Sequence, residues 1–203
     1  QFDKSKIKFG KLLAVNPQHA QGTFFTAMLN KEQGDTASAI QNFKQTILLL
    51  GSDYNSSMQL AQLYLAMGNG VTGMQFLDNA ITIDPSSDEA YYARGLEYQK
   101  RGQAGEAMDD YQRTIDLNAT HYYAYYNAGN ILAEEGKYIE ALNHFEICVK
   151  LKEDFAKGYN RMGQCFELQK KNELAVQNYN RCLQIDPNFA LAKEGLTRLG
   201  KMK

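Results

Sequence analysis

Net charge is what this sequence lacks first. It has 22 basic and 23 acidic side chains, which leave −1 overall, so no long-range field draws the chain to nucleic acid or to an anionic lipid surface. Long apolar runs are missing too. The most apolar stretch, Ile47-Leu48-Leu49-Leu50, is far shorter than the roughly 20 residues that cross a bilayer, and it reads as the close of a helix. Direct membrane insertion is therefore not expected of these residues. Cysteine is scarce: Cys148, Cys165 and Cys182 form an odd set without paired metal-binding spacing, and the three histidines (His19, His121, His144) are scattered. No disulfide framework or zinc site is expected. The cysteines read as small core residues, and their pattern leans toward a reducing or anaerobic setting. Proline occurs only as Asn16-Pro17, Asp84-Pro85 and Asp186-Pro187, where it bars its predecessor from continuing a helix.

What the sequence does have is a period of 34 residues. One row of large residues runs Phe43, Leu77, Tyr111, Phe145, Tyr179. Small residues fill two more rows, Ala39, Gly73, Ala107, Ala141, Ala175 and Ala27, Ala61, Gly95, Gly129, Gly163. A fourth row, Ile47, Ile81, Ile115, Val149, Leu183, keeps the same interval. Four rows held in phase identify a repeat array. Within a unit, Tyr125, Ala128, Gly129 and Leu132 fall on one helical stripe, and Ala141, Leu142, Phe145, Cys148 and Val149 fall on a second. Gly34, Gly68, Gly102 and Gly136 stand where the first helix must stop, since glycine accepts the left-handed conformation needed there. The fifth unit has Lys170 instead, which is expected to cost stability.

In one unit Tyr159, Met162-Gly163, Phe166, Ala175, Tyr179 and Pro187 stand at the offsets of a known pattern: an aromatic, Leu-Gly, Tyr, Ala, Phe and Pro. The chain thereby resembles the tetratricopeptide repeat family over nearly its whole length. The resemblance implies an all-α fold, a right-handed α–α superhelix (solenoid) of stacked antiparallel helix pairs. Full units are expected at 20–53, 54–87, 88–121, 122–155 and 156–189, with a capping helix at 190–203. Residues 1–19 match the second helix of a leading unit without its first, and no methionine opens the chain. A fragment or processed form of a longer array is the expectation.

No catalytic constellation stands out, and no cofactor or metal is implied. Because no strand is expected, no strand precedes a glycine-rich phosphate loop. His144 lies four residues from both Glu140 and Cys148, but it is expected to face outward while Cys148 belongs to the core row. Glu134-Glu135 and Asp109-Asp110 are sequence neighbours that diverge on a helix. The chain is not expected to be an enzyme.

The resemblance also implies a working surface, since the inner groove of such arrays is lined by first helices. Carried over, that surface begins with Phe24, Phe25 and Met58 and centres on Tyr92, Tyr123, Tyr126, Asn127, Asn130, Lys157, Asn160, Arg161 and Gln164. Tyrosines would supply apolar contacts and amides would meet a ligand backbone. Lys157 and Arg161 would favour an acidic side chain or terminus. Alanine at Tyr123 and Tyr126 is expected to weaken binding without unfolding. Some relatives clamp acidic C-terminal tails, and Asn127, Lys157 and Arg161 match that clamp. Tyr92 and Leu96 replace its first lysine and asparagine. Glu134 and Glu167 are expected to offset the remaining positive charge. The implied partner is a protein or peptide, not nucleic acid. The alternative is an assembly module that self-associates through its convex face or its N-terminal helix. The surface is rich in asparagine, glutamine and tyrosine and resembles that of bacterial envelope proteins with such repeats. The compartment is left open between envelope and cytoplasm.

Overall fold

A computed structural model describes residues 15–16 and 18–201. The expectation of a leading half-repeat falls almost wholly on residues 1–14, outside the described residues, as does Pro17. Among the described residues there are eleven helices and no strand. The first five are α1 (Ala20–Glu32), α2 (Thr36–Leu50), α3 (Tyr54–Ala66), α4 (Gly70–Ile83) and α5 (Asp88–Lys100). They continue with α6 (Ala104–Leu117), α7 (Tyr122–Glu134), α8 (Tyr138–Leu151), α9 (Ala156–Leu168), α10 (Asn172–Ile185) and α11 (Ala190–Arg198). Three residues separate the helices of each pair, as in Gln33-Gly34-Asp35 between α1 and α2. So short a turn forces an antiparallel hairpin. The turn glycines Gly34, Gly68, Gly102 and Gly136 all have φ between 74° and 78°, which a side chain would resist. Lys170 holds the same place at φ 59°.

The chain divides into two compact units, one up to Glu97 and one from Tyr98, with the division inside α5. In the first, α1 packs on α2, α2 on α3 and α3 on α4. Its core gathers Ala27, Ala39, Phe43 and Leu60, none of which reaches solvent. Met58 belongs to the interior as well, at 4% exposure, which corrects its expected place on the surface. In the second unit each helix from α6 to α11 packs on the next, and α9 also touches α7 and α11. Phe145, Cys148, Tyr179 and Cys182 are completely enclosed there.

The row of large residues carries a second regularity. The Tyr111 hydroxyl donates to Gln99 Oε1 at 2.6 Å, and the Tyr179 hydroxyl donates to Glu167 Oε2 at 2.6 Å, each partner lying 12 residues earlier. The residue at that offset from Phe145 is Ala133, which has no side-chain acceptor. A buried hydroxyl without a partner is costly, so the row carries tyrosine only where an acceptor stands ready. Phe145→Tyr is expected to lower stability by about 1–2 kcal/mol. Adding Ala133→Gln should restore most of that loss in urea unfolding. No recovery in the double variant would mean that the hydroxyl is satisfied elsewhere.

Candidate functional site

Helix α7 presents Tyr123, Tyr126, Asn127 and Asn130 at i, i+3, i+4 and i+7, and α9 presents Lys157, Asn160, Arg161 and Gln164 at the same spacing. Each set is therefore one helical stripe, and α7 packs against α9. All eight belong to the second unit. Tyr92 lies on α5 in the first unit, where it is half-buried.

The aromatic part of the site centres on a residue the sequence did not single out. The Phe155 ring lies 5.3 Å from Tyr122, 5.5 Å from Tyr123 and 5.1 Å from Tyr126, edge-on to all three. Tyr122 and Tyr123 stack at 4.2 Å. Burial, then the neighbouring Tyr123, pushes the Tyr122 phenol up to about 12, so it stays neutral. Tyr123 is 43% exposed and offers its ring outward. Tyr126 is half-buried and packs on the Phe145 core, so alanine there removes packing as well as surface, contrary to the expectation from sequence.

Phe155 did leave a signal. First helices begin with a side-chain acceptor at the 34-residue interval. His19 Nδ1 accepts from the Gly22 amide, Asp53 Oδ2 from Ser56, Ser87 Oγ from Ala90, and His121 Nδ1 from Ala124. At Phe155 this cap is absent. Phe189, 34 residues on, lacks it too; at 155 the phenylalanine gives up a cap worth about 1 kcal/mol and packs into the aromatic cluster instead.

The three asparagines are enclosed rather than displayed: Asn127 and Asn130 are buried, and Asn160 is only 3% exposed. Asn130 Oδ1 and Asn160 Oδ1 are buried and have no hydrogen-bond partner. Buried carbonyl oxygens in folded proteins are nearly always paired, so these two acceptors are exceptions to that rule. Lys157 is exposed. Arg161 donates to Gln164 Oε1 at 3.2 Å, and the ion pairs among the described residues involve neither Lys157 nor Arg161.

Glu167 does not offset these cations directly, as the sequence had suggested. Arg198 on α11 grips it from two nitrogens, at 2.9 and 3.0 Å, while the Tyr179 hydroxyl donates to Oε2. Arg198, and then the Tyr179 hydrogen bond, hold the Glu167 carboxyl below the usual range against the opposing effect of burial. His144 is also not where the sequence placed it: it is half-buried beside the Tyr125 ring, with Nδ1 enclosed. Burial lowers its pKa. Burial likewise pushes the Cys148 thiol up to about 12, and Cys165 and Cys182 to about 11, far from the thiolate a nucleophile needs. No group of three or more His, Cys, Asp or Glu side chains suited to a metal ion occurs among the described residues.

Residues 92–150 and 156–189 match two models described as tetratricopeptide repeat. No curated protein matches the sequence. Among solved structures, YrrB, a tetratricopeptide-repeat protein with an unusual peptide-binding site, is 20% identical with a TM-score of 0.79, over 93% of this chain and 97% of that one. MamA is 23% identical with a TM-score of 0.75, over 84% and 93%. PilF of Pseudomonas aeruginosa is 12% identical with a TM-score of 0.81, over 97% and 90%. At these identities the likeness speaks to fold, an all-α solenoid of stacked antiparallel helix pairs.

Proposed function

The chain belongs to the tetratricopeptide repeat family, and from that premise we propose a protein-interaction scaffold whose second unit holds an extended segment of a partner along α7 and α9. The observation that carries this reading is the pair of packed stripes whose outer members, Tyr123 and Lys157, are exposed, and beneath which folding leaves the enclosed Asn130 Oδ1 and Asn160 Oδ1 unpaired. An extended chain supplies backbone N–H donors that pair with such acceptors once the two asparagine side chains turn outward. Tyr123 and Phe155 give an apolar anchor, and Lys157 with Arg161 favours an acidic residue beside it. YrrB, with its peptide-binding site, is a precedent in fold for this use.

The test separates a binding role from a structural one. Overlapping peptides, each with a free and an amidated C-terminus, are screened on an array against the purified chain. Binders are then measured against Asn130→Leu and Asn160→Leu. Leucine removes an acceptor that folding leaves unpaired, so each variant should melt at the same temperature or higher while losing about three- to tenfold in affinity. Lower melting temperatures, or affinities that do not move, would sink the reading. A strict requirement for the free carboxylate would narrow the ligand to C-terminal tails.

A further inference from the structure

The cationic stripe of α9 is not self-contained. Glu167 follows Asn160 by seven residues and Gln164 by three, so it continues the same helical face. It stands about 9 Å beyond Arg161 along the axis, comparable with the screening length of about 8 Å at physiological ionic strength. Its side chain is only 21% exposed, so water screens it poorly. Left alone, Glu167 would draw down the potential of Lys157 and Arg161. It is not left alone: Arg198, contributed by α11, holds both of its oxygens. Lys157, Arg161 and Glu167 together sum to one positive charge, and adding Arg198 raises the sum to two.

We infer that Arg198 is a specificity-determining residue for acidic ligands, acting through Glu167 to keep the α9 stripe cationic. The inference rests on the acidic-ligand reading above. It makes the last helix part of the recognition surface without requiring that helix to touch the ligand. The partner it selects is a segment with a carboxylate close to an apolar side chain, and a neutral segment of the same shape gains nothing from Arg198.

The experiment uses the whole chain and a fluorescein-labelled polyglutamate peptide with one central leucine, compared by anisotropy with its polyglutamine counterpart. The unsubstituted chain should prefer glutamate. Arg198→Gln should cut that preference by about two- to fourfold, the effect of one poorly screened charge at this range, and Glu167→Gln should raise it. The double variant Arg198→Gln with Glu167→Gln decides the cause. It lacks the bidentate latch as fully as the single variant does, but its stripe carries the original two positive charges. Recovery of the preference in the double variant supports action through charge. A double variant as impaired as Arg198→Gln would mean that the latch matters only structurally or that Arg198 meets the peptide itself, and the inference falls. It also falls if Arg198→Gln leaves an existing preference unchanged, with the acidic-ligand reading intact. No glutamate preference in the unsubstituted chain would remove both.

Discussion

Gly163→Ala is expected to destabilise the second unit by about 2–3 kcal/mol, whereas Gly105→Ala should stabilise it by up to about 1 kcal/mol. The chemical change is the same and both glycines are helical, on α9 and α6. What differs is the space. A Cβ at Gly163 would stand 2.6 Å from Tyr179 Cε1 and 2.7 Å from Cδ1, while one at Gly105 would meet nothing within 4 Å. The ring cannot withdraw. On its far edge a Cβ at Gly195 would already stand 2.5 Å from Cε2, and its hydroxyl is tied to Glu167. The contrast with the first unit is instructive. Ala27 occupies the row of Gly163 beside Phe43, a ring with no hydroxyl to anchor it. Urea unfolding of the two variants checks the sign directly. A stable Gly163→Ala protein would show that α9 and α10 can separate at little cost, and that the small-residue row does not set their approach.

The parts of this molecule legible in its sequence are those that every unit repeats. A residue packed against the neighbouring helix in one unit meets the same neighbour in the next, so selection for packing prints the row of Phe43, Leu77, Tyr111, Phe145 and Tyr179 at constant spacing. The turn glycines are legible for the same reason, because the hairpin makes the same conformational demand each time. The candidate site is written in departures from the period. Phe155 breaks the row of capping acceptors, and Arg198 meets Glu167 across 31 residues, out of phase with the repeat. Neither contact can be read from a row. Burial is also decided locally. Met58 turned inward because α3 presents it to the interior, and the amides at 127, 130 and 160 sank to depths that their residue type does not announce. Sequence periodicity thus gives the scaffold, and the ligand-facing chemistry needs the packing of particular pairs.

The break in the turn row gives the other large expectation: Lys170→Gly with Lys171→Asp should raise the stability of the second unit by about 2 kcal/mol. The backbone of this turn already follows the first one. Lys170 N and Lys171 N donate to the Glu167 and Phe166 carbonyls, as Gly34 N and Asp35 N do to Lys31 and Asn30. Only the side chains differ. At φ 59° Lys170 carries a Cβ in the left-handed region, a cost of about 1–2 kcal/mol that glycine partly returns through its greater freedom when unfolded. Lys171 stands at the start of α10 with φ −90° and ψ 63° and offers no acceptor. Asp35, at φ −79° and ψ 72°, accepts from the Ser38 amide at 3.1 Å, so an aspartate at 171 is already aimed at the Leu174 amide. Such a cap contributes about 1 kcal/mol, and exchanging an ammonium for a carboxylate at a helix N-terminus adds about 0.3–1 kcal/mol. Each single variant should take its own share in urea unfolding, and their sum should approach the double. If Lys171→Asp gains nothing while Lys170→Gly does, the capping geometry fails at this turn and only the left-handed strain is real. If neither gains, the turn between α9 and α10 is not where the second unit is weakened.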